Sequence, residues 1–154
     1  MSSDEETFRR LITELRLLEG TADALQSRIN LVNAALTELA FASTTIEGLE
    51  KEAKGTPLLV PIGGGSFINA EVATTENMVV GMGAGVSVEK PREEAKQIIE
   101  KRITELQKSL NTLQQQLAQV VEQMRMKRQQ LEDTSVELSS RRQTSDVRKA
   151  QSGT

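Results

Sequence analysis

Apolar side chains in the first third of the chain recur at alternating steps of three and four. They run Phe8, Leu11, Leu15, Leu18, Ala22, Leu25, Ile29, Val32, Leu36 and Leu39, followed by Ser43 and Ile46. As heptads, position a holds Phe8, Leu15, Ala22, Ile29, Leu36 and Ser43, and position d holds Leu11, Leu18, Leu25, Val32, Leu39 and Ile46. Six heptads with one polar slip exceed the three or four that separate a coiled coil from an ordinary surface helix. The last third repeats the pattern: a reads Lys96, Ile103, Leu110, Leu117, Met124, Leu131, Leu138, and d reads Ile99, Leu106, Leu113, Val120, Lys127, Thr134, Arg141. Gln, Lys, Arg and Glu fill the intervening positions and favour helix. The spacing predicts a first helix over about residues 5–53, in a segment 1–54, and a second over 91–141, with Pro91 in its first turn.

Residues 55–90 change character. Seven of the ten glycines lie here, and Gly55 followed by Pro57 is a helix stop. Apolar residues now alternate with period two over Pro57–Ile62, Phe67–Ala73, Asn77–Met82 and Val86–Lys90. The breaks at Gly63-Gly64-Gly65-Ser66, Thr74-Thr75-Glu76 and Gly83-Ala84-Gly85 predict four short strands in two hairpins. Pro61 cannot donate to a ladder, so its strand must be an edge or bulge there. Residues 142–154 are polar and read as a disordered tail.

Two helices of matching length around a compact insert most simply fold back on each other. The expected fold class is α with a small β insert: a long antiparallel coiled-coil hairpin bearing two β-hairpins, with both chain ends at the far tip. Isolated hairpins are marginal in water and their unpaired edges recruit other chains. Leu58, Val60, Ile62, Phe67, Ile68, Val72, Met78, Val80, Val86 and Val88 are therefore expected to join a β-barrel shared between subunits.

At the far tip the seam is mismatched. The first helix carries Phe8, Leu11, Ile12, Leu15, Leu17 and Leu18, more apolar residues than a seam requires. Opposite them, the d positions Lys127, Thr134 and Arg141 are polar, while the a positions Leu131 and Leu138 stay apolar. Phe8, Leu11, Ile12, Leu15, Leu131 and Leu138 are thus the candidate contact residues for loosely held apolar partners. Fraying of terminal heptads is the plain alternative.

Composition narrows the function. Aromatic residues are only 2% of the 154, which suits long thin contacts better than a thick core. With no His and no Cys, thiol nucleophiles, imidazole bases, disulfides and His/Cys zinc sites are excluded. The glycines match neither a phosphate-binding loop nor a dinucleotide fingerprint. An enzyme is therefore not expected, nor any cofactor. The acidic start Met1–Glu6 and the absence of long apolar runs predict a soluble, cytoplasmic protein that crosses no membrane. A net charge of −3 and the lack of aromatics among the basic residues argue against nucleic acid. Residues 1–54 carry six basic and ten acidic side chains and residues 91–154 twelve and nine, opposite signs that suit pairing of the two helices.

A coiled-coil arm, two hairpins and a returning arm resemble the prefoldin alpha subunits, in their archaeal, four-strand form. The resemblance covers roughly residues 8–141. It rests on Gly55-Thr56-Pro57-Leu58-Leu59-Val60-Pro61-Ile62-Gly63-Gly64-Gly65-Ser66-Phe67 and on Val79-Val80-Gly81-Met82-Gly83-Ala84-Gly85-Val86-Ser87-Val88-Glu89. It implies a hexamer of two alpha and four beta subunits joined through a double β-barrel. It also implies ATP-independent holding of non-native proteins at the coiled-coil tips and their delivery to a group II chaperonin. A coiled-coil spacer that holds no client is the rival expectation.

Overall fold

The structure is a computed structural model that describes residues Ser3–Gln151. The element order is α1 (Ser3–Leu49), β1 (Pro57–Gly63), β2 (Ser66–Glu71), β3 (Asn77–Gly83), β4 (Val86–Pro91) and α2 (Arg92–Gln151). Helix α1 begins with Asp4, Glu5 and Glu6 in its first turn, where carboxylates meet the positive end of the helix dipole. It ends four residues earlier than the heptads suggest, at Leu49. Beyond Gly48, Lys51 and Glu52 donate to carbonyls only three residues back, so the helix tightens into turns. Gly55 then takes a positive φ of 86° that reverses the chain. Its N–H donates to Val72 O at 2.7 Å, and the Val72 N–H donates to Thr56 O at 3.0 Å, closing the base of the first hairpin.

The two hairpins have the same construction. Strand β1 pairs antiparallel with β2, and β3 with β4, in two separate two-stranded sheets. The register of the first, Pro57↔Glu71 to Gly63↔Ser66, returns twenty positions later in the second, Asn77↔Pro91 to Gly83↔Val86. Both are irregular at the same place, between Pro61 and Gly63 and between Gly81 and Gly83. Pro61, expected at an edge or a bulge, borders this irregularity in a two-stranded sheet, and the counterpart at Gly81 shows that the irregularity belongs to the repeated design. Each turn carries two central residues with positive φ, Gly64 with Gly65 and Ala84 with Gly85, the backbone of a type I′ connection. Ala84, at φ 50°, holds there a conformation that costs an L-residue with a Cβ about 1–2 kcal/mol.

Helix α2 starts one residue after the expected position, because Pro91 closes strand β4. The Arg92 N–H donates to Glu76 O at 2.7 Å and its guanidinium to Thr75 O at 3.0 Å, fixing the helix start to the loop before β3. The far end differs more from expectation. Helix continues through 142–151, which had read as a disordered tail, and residues 152–154 lie outside the described set. No Gly or Pro interrupts this stretch, and the hydroxyls of Thr144 and Ser145 donate back to the carbonyls of Ser140 and Arg142. These bonds back to the preceding turn compete mildly with the helix ladder, so the helix persists here without a breaker rather than because of them.

The chain divides into two compact units. The terminal unit joins residues Met1–Leu31 with Asn111–Thr154, and the hairpin unit is Val32–Leu110. In the terminal unit Asp4 pairs with Arg141, Glu5 with Arg142, Glu14 with Lys127 and Glu19 with Arg128, so α1 and α2 run antiparallel. Its core is a thin seam in which Leu11, Leu15, Leu25 and Ile29 are buried. In the hairpin unit Ile46, Val72, Val80, Ala95 and Ile99 are buried, and Lys96 reaches Glu50 across the helices at 3.7 Å. Among the described residues no helix is long and apolar enough to cross a membrane.

Candidate functional surfaces

No described cluster of His, Cys, Asp or Glu could hold a metal. What the chain offers is apolar surface, distributed differently in its two units.

In the hairpin unit the strands display apolar side chains to solvent along nearly their whole length. Of the residues expected there, Leu58, Val60, Ile62, Phe67, Ile68, Val86 and Val88 are exposed and Met78 is half-buried. Val72 and Val80 are corrections: the unit buries both itself, so neither is open to a partner. Leu59, Val79 and Met82 join the exposed set, Val79 at 74%. Leu58-Leu59-Val60 and Met78-Val79-Val80 break strict alternation, so neighbouring residues place apolar groups on opposite faces of a strand. Runs of this kind belong to strands covered on both sides. That was the available signal, and a period-two reading passes over it. Each strand also has one neighbour only, leaving an unpaired edge on every one.

The terminal unit departs further from expectation. Leu11 and Leu15, expected as contact residues at an open tip, are 3% and 7% exposed and belong to the seam. Phe8, Ile12, Leu131 and Leu138 are half-buried, with Phe8 and Leu138 lining one recess. Lys127 and Thr134 are half-buried and line one recess with the buried Leu11, so these polar d positions do not leave the seam open. The openly exposed aliphatic groups are Leu17, Leu31, Val121, Met126, Val136 and Val147. All sit off the a and d positions, on flanks and outer faces, and an apolar residue outside the seam register was the signal for them. Leu17 and Met126 flank a shallow groove floored by Leu18 and by Glu14 with Lys127.

The Glu14–Lys127 pair differs from the other charges of the unit. Lys127 occupies a d position, its side chain is one-third exposed, and Nζ stands 2.6 Å from Glu14 Oε2, an atom shielded from water. The bond from the Lys127 ammonium, helped by Arg10, outweighs that desolvation and holds the Glu14 carboxyl below the usual glutamate range. Arg125 does the same for Glu122 through a contact of 2.7 Å along one helix face.

Long antiparallel helices interrupted by twin hairpins, with apolar surface on the strands and a charged, narrow seam elsewhere, define a coiled-coil assembly subunit. The family model for Prefoldin subunits matches residues 18–137. The prefoldin subunit alpha of Methanothrix thermoacetophila is 37% identical over 112 residues, 71% of this chain and 73% of that protein. That of Pyrococcus horikoshii is 31% identical over 121 residues, 78% and 82% of the two. A solved structure described as filamentous PFD from Methanocaldococcus jannaschii superposes with a TM-score of 0.64 at 25% identity, covering 73% of this chain and 94% of that one. The chain belongs to the prefoldin family of chaperone subunits.

Proposed function

We propose that this chain is the alpha-type subunit of an ATP-independent holding chaperone, assembled through its hairpins and binding non-native proteins through its terminal unit. The observation that carries this reading is the set of aliphatic side chains left on the flanks of the terminal helix pair, Leu17 and Met126 above all, interleaved with ion pairs. Isolated contacts of this kind are individually weak and indifferent to sequence, which suits scattered apolar patches on an unfolded chain. Several arms acting on one client raise the effective concentration, so weak contacts hold firmly yet release without nucleotide. A holder of this kind suppresses aggregation by mass action on the non-native form.

Two exposed apolar hairpins per chain support assembly with beta-type subunits, as two alpha with four beta around a shared barrel. Transfer of the client to a group II chaperonin in the cytoplasm follows from the family resemblance. With no His or Cys in the sequence, this reading assigns the chain no catalytic role.

The test dilutes a chemically unfolded enzyme into buffer with and without the assembled protein and follows light scattering. Suppressed scattering supports holding. Equal scattering leaves a spacer that assembles through its hairpins and holds nothing.

A further inference from the structure

Arg102 is a cation with little to hold. It is half-buried on α2, on the same stripe of the helix as the buried Ala95 and Ile99, and so faces into the hairpin unit. Among the described residues it pairs with no carboxylate. Its side-chain contact is the sulfur of Met82 on β3, with Nη2 3.8 Å from Sδ. A guanidinium carries five donors and a thioether is a weak acceptor, so the cation is poorly satisfied.

The contact also separates the twin hairpins. Strand β1 is exposed at every residue, whereas β3 buries Val80 and half-buries Met78. Val60 and Ile62, the counterparts of Val80 and Met82 in the twenty-residue repeat, are both exposed. The second hairpin thus packs on its own unit through Val80, and Met82 extends that contact to Arg102 close to the turn. Met82 is nonetheless 48% exposed, open to a small solute while it touches the cation.

We propose that Met82 is a sulfoxidation site whose product is bound by Arg102, so that oxidation latches the second hairpin to α2. The oxidant is a peroxide. The thioether sulfur gives an electron pair to one oxygen of hydrogen peroxide, and the S–O bond forms as the O–O bond breaks. Sulfur is oxidised by two electrons and the peroxide is reduced. The proton on the transferred oxygen passes to the departing hydroxide, leaving the sulfoxide and water. Rotation about the flexible methionine bonds then turns the new oxygen to the guanidinium. The oxygen is a far better acceptor than the thioether it replaces, and its donor is charged. Methionine sulfoxide is reducible, so the latch is reversible. Ile62 has no sulfur, and the first hairpin is left unchanged. The latch lies wholly in the hairpin unit and does not depend on client holding.

The test treats the full-length chain with dilute hydrogen peroxide, locates added oxygen by peptide mass spectrometry and follows amide exchange. The sequence has no cysteine to compete for the oxidant, and the similarly exposed Met126 reports ordinary thioether reactivity. Met82 is expected to gain one oxygen alongside Met126. Exchange over residues 77–91 is then expected to slow about three- to tenfold, with residues 57–71 unchanged. Met82→Leu removes the sulfur and keeps an apolar side chain, and its exchange over 77–91 should not respond to peroxide. Arg102→Ala should still be oxidised at Met82 without the slowing. A Met82 that stays unoxidised while Met126 is converted overturns the proposal. So does exchange over 77–91 that is unchanged or faster in the oxidised parent, or slowing that persists in either variant.

Discussion

The hairpin unit and the terminal unit both leave aliphatic side chains in water, in opposite styles. On the strands the exposed groups are contiguous: Leu58, Leu59, Val60 and Ile62 on β1, Val79 and Met82 on β3, with Val86 and Val88 on β4. On the terminal helices they are scattered among charged residues, as Leu17 is between Arg16 and a Glu19 that pairs with Arg128. Contiguous apolar surface with unpaired edges is what a permanent interface leaves when its partner is removed. Dispersed apolar groups among ion pairs remain soluble alone and suit contacts that form and break. On the proposed function, one chain thereby carries a surface to be covered by subunits and a surface kept available for clients.

The sharpest way to break this contrast is to charge the strands. Leu59→Asp with Val79→Asp places carboxylates at two well-exposed positions on equivalent strands of the repeated hairpins. Neither side chain supports the subunit's own fold, so helical circular dichroism is expected to persist while native mass falls to that of the single chain. Retention of the full assembly mass would show that these strand faces are not the interface.

The next test separates seam from flank within the terminal unit. Leu11→Ala removes a buried seam leucine and is expected to cost about 2–5 kcal/mol of local stability, read as faster amide exchange over residues 4–18. Leu17→Ala, only six residues away but 69% exposed, is expected to stay within about 0.5 kcal/mol of the parent while reducing client holding. Similar exchange in the two variants would erase the distinction between seam and flank.

How the sequence announced these two units differs for a physical reason. The heptads placed both helices, and the glycine clusters placed four strands to within a residue or two, because period and turn chemistry are local properties. Side-chain burial is not local. Thr134 and Lys127 read as a gap in the seam, yet both are half-buried and Leu11 beside them is closed off, so polar identity did not mean an open site. Val72 and Val80 alternate like their exposed neighbours, and only the packing of the unit tells them apart. The twenty-residue repeat of the hairpins was also hidden. Pro61 answers Gly81 and Gly64 answers Ala84, so the repeat survives in backbone register more than in residue identity.

That last pair gives a smaller test. Gly64 and Ala84 hold equivalent turn positions with positive φ, but only Ala84 carries a Cβ there. Ala84→Gly is expected to stabilise the second hairpin by up to about 1 kcal/mol, and Gly64→Ala to destabilise the first by a similar amount. Thermal melts of the two single variants should therefore shift in opposite directions. Shifts of the same sign would mean that the turns are not equivalent.

The smallest expected effect belongs to pH and bears on the charge that distinguishes the terminal unit. Lys127 holds the Glu14 carboxyl below the ordinary glutamate range in the folded chain. A carboxyl depressed on folding stabilises the fold at pH values above its unfolded pKa, and that stabilisation disappears as pH falls through the lower, folded value. Glu14→Gln keeps the shape and removes the titration. At neutral pH the parent is therefore expected to melt slightly above the variant, with the gap closing below the ordinary glutamate range as Glu14 takes up its proton. Glu122, likewise depressed by Arg125, titrates in both proteins and cancels in the difference. Parallel melting curves across the acid range would show that the Glu14–Lys127 pair contributes register without stability. Even then Lys127 would still face the one carboxylate in its g row, between Thr7 and Thr21, and negative selection among registers would be the whole of its role.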